Sequence, residues 1–202
     1  MLRYTIIEGF IILLSIVAIN ETVAQKSYNE TITFVDPFGK FSIDYPSDWE
    51  AIAPGHRFEE GNLDLIIQKT DRQQGYIEIR HEQIVSEITK SNKENRFLSS
   101  SLNNKSLEII LPSTFKDYVD KLNLQNVRPI EEFNNNRYLI SGMNTSSIIY
   151  NFEKDDKSFY GLYILAKSDY SIVYISYIAS TNYFYRNLPE VEEMINVLKF
   201  NL

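Results

Sequence analysis

The residues able to do chemistry are few and widely spaced. Two histidines, His56 and His81, are all the imidazole that 202 residues contain, and there is no cysteine. Thiol nucleophiles and disulfides are thereby excluded, and a His-rich zinc site lacks its ligands. His81 opens the run His-Glu-Gln-Ile-Val, but Val85 stands where a His-Glu-x-x-His zinc motif needs its second imidazole. The run also closes a strand-like segment, whereas that motif needs a helix. The seven glycines are scattered singly, so no phosphate-cradling loop is present, and no Gly-x-Ser-x-Gly nucleophile elbow occurs. The best remaining constellation lies in residues 54–62, where His56, Glu59 and Glu60 share one polar loop. One imidazole and two carboxylates suit weak binding of a divalent cation. The same residues equally suit a solvated connection between two strands. Asp155-Asp156 reads as a hairpin tip, because calcium needs six or more oxygens from a shaped loop. No catalytic set and no cofactor follow from these residues.

A second kind of chemistry is amphipathic. Of 14 tyrosines, Tyr160, Tyr163, Tyr170, Tyr174, Tyr177, Tyr183 and Tyr185 fall in one short stretch. Strand parity sends some of them to a core. Tyr160, Tyr163, Tyr183 and Tyr185 are the candidates for a surface that takes a protein or glycan partner, since tyrosine is favoured at interfaces. Asn29, Asn104 and Asn144 each begin an Asn-x-Ser/Thr sequon and are candidate glycosylation sites; a fourth sequon begins at Asn20.

The elements that must position these residues begin after an N-terminal leader. Arg3 supplies a short positive region, residues 10–19 an apolar run, and Thr22-Val-Ala24 small residues for a peptidase cut before Gln25. Residues 1–24 are therefore expected to be a signal peptide. The alternative is an uncleaved anchor through residues 4–19, although Glu8 interrupts it and a spanning helix wants about 20 apolar residues. Either way the chain is expected outside the cytoplasm, secreted or membrane-anchored, with membrane contact only if the leader is retained. The net charge of −7 gives no footprint for nucleic acid, which requires clustered Lys and Arg. The full chain is 44% hydrophobic, and the residues after the leader, 25–202, suffice for a single domain with its own core.

Within it, "TITFVD" reads as a strand, and "FSIDY" alternates strictly, with Phe41, Ile43 and Tyr45 on one face. Pro46 stops that strand, and Trp49 opens another as a core residue. "LDLIIQK" and "YIEIRHE" are the next strands. Residues 86–107 are polar and expected to be a mobile loop with some helix. A helix over 112–124 starts at a Ser113 or Thr114 cap and shows an apolar stripe of Phe115, Tyr118, Val119 and Leu122. Four strand-like runs follow, 137–141, 147–153, 158–166 and 171–179, as a meander. The last is apolar on both faces, which demands covering layers on both sides of its sheet. Leu188, Val191, Ile195 and Leu198 mark a C-terminal helix, with Pro189, Glu190, Glu192 and Glu193 read as helix-start chemistry. The fold class is α+β, a mostly antiparallel β-sheet sandwiched between helices.

"FGKFSIDYPSDWE" (residues 38–50) resembles the opening hairpin of PsbP-like domains. The stretch from Leu139 to Phe200, with a Gly-containing turn, a strand ending in tyrosine, "YISYIA" and an aromatic-led Leu-Pro helix, resembles the second half of the same family. The likeness spans about residues 31–202 and is weakest over 83–136. It implies an antiparallel sheet between helices, an α/β/α sandwich. It also implies a non-catalytic module that binds a protein partner or stabilises an assembly at the outer face of the membrane. No catalytic residue carries over from it. The competing readings are a metal-dependent enzyme or hydrolase of the cell envelope, and a small-ligand or ion carrier.

Overall fold

Alternation of apolar and polar side chains decides the strands. In the computed structural model, which describes residues 30–53, 63–83, 106–135, 138–169 and 171–201, Phe41, Ile43 and Tyr45 of β2 (Phe41–Pro46) are buried and the residues between them are not. β2 is the middle of a small sheet, flanked by β1 (Thr31–Val35) and the short β10 (Lys199–Phe200). The β1–β2 turn is an Asx turn closed by Asp36, whose Oδ2 accepts the main-chain N–H groups of Phe38 and Lys40 at 3.0 and 3.1 Å. Gly39 supplies the positive φ of 68° that this turn requires.

The large sheet has seven strands in the order β3-β4-β5-β9-β8-β7-β6, and every pairing in it is antiparallel. They are β3 (Trp49–Ile52), β4 (Leu63–Lys69), β5 (Tyr76–Gln83), β6 (Gln125–Asn135), β7 (Asn144–Lys154), β8 (Lys157–Lys167) and β9 (Ser171–Ser180). Asp155 and Asp156 form the β7–β8 hairpin tip with φ of 51° and 57°, both in the left-handed region that a tight two-residue turn needs. The chain divides after Glu30, and all of these elements belong to the unit Thr31–Leu202.

β9 is buried on both faces, as its double apolar pattern requires. Val173, Ile175, Tyr177 and Ala179 join one core, which also holds Leu65, Ile67, Leu162, Ile164 and the inward row of β2. Ile172 and Ile178 join a second core with Tyr150, Tyr163 and Leu165. The helix α2 (Phe184–Asn196) contributes Phe184, Leu188, Val191, Met194 and Ile195 to the first core. The helix α1 (Leu107–Leu122) contributes Ile110, Leu111 and Tyr118 to the second.

Four expectations need correction. α1 begins at Leu107, five residues before Pro112, so Ser113 and Thr114 are not caps. Their hydroxyls instead donate back to the carbonyls of Ile110 and Leu111, near the break that proline makes in the helical ladder. Residues 138–143 are a turn with a lone Ile140–Met143 bridge, and the strand before β7 is β6. β6 escaped the alternation test because Pro129 and several register shifts break its pattern, and Asn126 sits at φ 53°. α2 begins at Phe184, so Glu190, Glu192 and Glu193 lie in its body. Their carboxylates therefore meet side chains: Glu190 meets Lys69 and Trp49, and Glu192 accepts from the Tyr138 hydroxyl at 3.2 Å.

Candidate functional site

One buried charge cluster comes from the parity of β4. Leu65, Ile67 and Lys69 face the same way, so an ammonium follows two isoleucine-class neighbours into the α2 side of the sheet. Directly across, β3 places Trp49 opposite Lys69. The Lys69 side chain is 11% exposed and pairs with Asp48 Oδ2 at 2.5 Å and Glu190 Oε2 at 3.3 Å. Its Nζ lies 4.7 Å from the Trp49 ring centre, and Trp49 Nε1 donates to the same Glu190 oxygen at 3.2 Å. Nearby, Tyr177 donates to the Phe184 carbonyl and Asn187 to the Gln74 carbonyl. Burial, reinforced by the Glu190 charge, pushes the Tyr177 phenol well above its ordinary pKa. Each of these polar contacts is made within the fold. This cluster fastens α2 to the sheet edge, and Trp49 is its core anchor.

The tyrosine candidates separate by depth. Tyr163 is a correction: it is 3% exposed, under α1, with its ring 4.9 Å from Tyr118 and 5.6 Å from Phe115. Odd positions of β8 near its middle face α1, and burial drives that phenol upward in pKa. Tyr160 and Tyr183 are half-buried against the other core. Tyr185 is 50% exposed on the first turn of α2. Its ring stands edge-on to Phe184 at 5.1 Å and lies 5.4 Å from Tyr160. Tyr160 is itself 5.5 Å from Phe184. Tyr160 and Tyr185, joined through Phe184, thus form an aromatic terrace where β8 meets the start of α2, and Tyr183 packs separately against the core.

His56, Glu59 and Glu60 lie outside the described residues, as do the leader 1–24, Asn29, Asn104 and most of the polar segment 86–107. Asn144 is exposed at the start of β7. Among the described residues no three His, Asp or Glu side chains converge to hold a metal, and no helix is long and apolar enough to cross a membrane. Sequence reasoning missed the Lys69 cluster, although a lysine at an inward strand position and an isolated Trp were both visible signals.

No protein-family model matches the sequence, and no curated protein matches it. The fold does have counterparts. The solution structure of cyanobacterial PsbP (CyanoP) from Synechocystis sp. PCC 6803 aligns at TM-score 0.60, over 88% of this chain and 96% of that one, at 8% identity. LpqN, involved in cell envelope biogenesis of Mycobacterium tuberculosis, aligns at TM-score 0.52 over 84% of this chain and 90% of that one, at 7% identity. A Bacteroides thetaiotaomicron crystal structure aligns at TM-score 0.50 over 84% of this chain, at 15% identity, and this chain matches 48% of its length. The chain has a PsbP-like fold, mostly antiparallel sheet with two helices.

Proposed function

We propose that this protein is an exported, non-catalytic module of PsbP-like fold that docks a protein partner outside the cytoplasmic membrane. The observation that carries the reading is the aromatic terrace. Tyr185 is half exposed yet held by Phe184 and Tyr160, so little side-chain freedom remains to be lost on binding. A rigid amphipathic ring beside further aromatic area is the usual form of an interface anchor. Export is supported by the leader-like residues 1–24 and by likeness to LpqN, whose role lies in the cell envelope. An α/β/α sandwich is the finer description of the fold that we favour, since α1 and α2 pack against side chains of alternate parity on the same strands.

The test is affinity capture from native envelope extract, comparing the tagged protein with a Tyr160→Ser/Tyr185→Ser variant. The expected result is one near-stoichiometric partner that the double variant loses while keeping its circular dichroism. A partner held equally by both, or none above background, contradicts the terrace.

A further inference from the structure

The inward row of β5 reads Ile77, Ile79, His81, so an imidazole ends a file of fully buried isoleucines. His81 is 9% exposed and lies where the small sheet meets the large one. Its ring is 5.5 Å from that of Phe200 on β10, and Phe200 is 5.4 Å from Phe41 on β2. Nε2 of His81 is buried and has no hydrogen-bond partner among the described residues.

Nearby carboxylates are already engaged. The ladder shifts register between Leu63 and Leu65, and Asp64 Oδ2 there accepts the main-chain N–H of His81 at 2.6 Å. Asp36 is committed to the main chain of Phe38 and Lys40. The charges facing the imidazole are thus Asp64 from β4, and Asp36 and Lys40 from the β1–β2 turn. β9 offers the uncharged Val173 opposite, and β10 offers Phe200, with Lys199 exposed. Burial, with the Lys40 ammonium adding to it and Asp36 partly opposing, holds the imidazole below its ordinary pKa.

We propose that His81 is an acid-sensitive latch between the two sheets. Neutral, the ring packs under Phe200. Protonated, it places a charged N–H where no acceptor stands, and β10 lifts away. The strap released runs through Phe200 N–H on Ser141 Oγ at 2.7 Å, Asn201 N–H on the Lys40 carbonyl at 2.8 Å, and Asn201 Nδ2 on the Gly39 carbonyl at 2.6 Å. The sign follows from proton uptake. The open form binds the proton more readily, so the closed form is fully favoured above the ordinary value of 6.5. It loses ground as pH falls through 6.5 toward the lower folded value. The latch stands independently of any partner at the tyrosine terrace.

Hydrogen exchange of the full chain, corrected for intrinsic rates, tests this at about pH 7.5 and about pH 5. Peptides covering 39–44 and 197–201 should gain in opening at the lower pH, while one covering 161–167 does not. His81→Phe, which keeps a ring beside Phe200, should abolish the gain. An equal gain in that variant, a uniform gain across β8, or no gain overturns the latch. Should His81→Phe not fold, an NMR titration of the native protein decides. His81 must titrate below the ordinary histidine value with the Phe200 ring signals moving in step; titration at or above that value overturns it.

Discussion

At Lys69 the alternation of β4 leaves an ammonium in a file of aliphatic side chains, and two carboxylates and an indole answer it. Asp48 and Glu190 are both partly solvated, so water takes over part of what a truncation removes. Lys69→Ala should therefore lower unfolding stability by about 1–2 kcal/mol, short of the loss for a fully buried pair, and Glu190→Gln by less, since the amide still accepts from Trp49. Urea midpoints at constant m-value would check both. Gly161 is a sharper case. A Cβ there would overlap the Tyr150 ring, which is fully buried and cannot withdraw. Gly161→Ala should cost about 1–3 kcal/mol through overpacking, with much of that recovered in a Tyr150→Leu background. The buried phenols add an alkaline limit. Burial, then the Glu78 charge, raises Tyr76 to about 12, and burial raises Tyr118, Tyr150, Tyr163, Tyr174 and Tyr177 further. In the unfolded chain each ionises near 10.0. Stability is thus held below pH 10 and falls as pH rises above it. The absorbance of these six phenolates should appear together with loss of near-ultraviolet circular dichroism, and ionisation of every tyrosine in the chain before unfolding would contradict this.

Elements with an unbroken period were legible and those with an interrupted one were not. β2 and β9 follow directly from their side-chain alternation, and the stripe of α2 from Leu188, Val191 and Ile195. β6 hid because Pro129 and its bulges erase alternation over the strand. The start of α1 hid because Pro112 usually opens a helix and here lies inside one. Pro112 is exposed, so replacing it removes little packing. Pro112→Ala should restore the N–H to the Glu108 carbonyl and raise stability by about 1–2 kcal/mol, net of the added freedom of the unfolded chain. Thermal unfolding would show a rise in midpoint; an unchanged or lower midpoint would mean that Pro112 aids docking of α1.

At the scale of the whole molecule the sequence carried the fold further than the site. The resemblance of residues 38–50 and 139–200 to PsbP-like domains implied such a sheet, and the solved structures share that fold. Depth within a strand is harder to read: Tyr160 and Tyr163 look alike in sequence, but three positions along β8 put one at the α2 side and the other under α1. The Lys69 cluster joins residues 48, 49, 69 and 190, and such long-range convergence leaves no local pattern. Docking at the terrace is tested most directly by photo-crosslinking in living cells, with a photoreactive phenylalanine at position 185 and, as control, at the exposed Lys121 on α1. One discrete crosslinked species from position 185 and none from position 121 is the expected result. No species from 185, or the same set from both positions, contradicts a partner-docking role for the terrace.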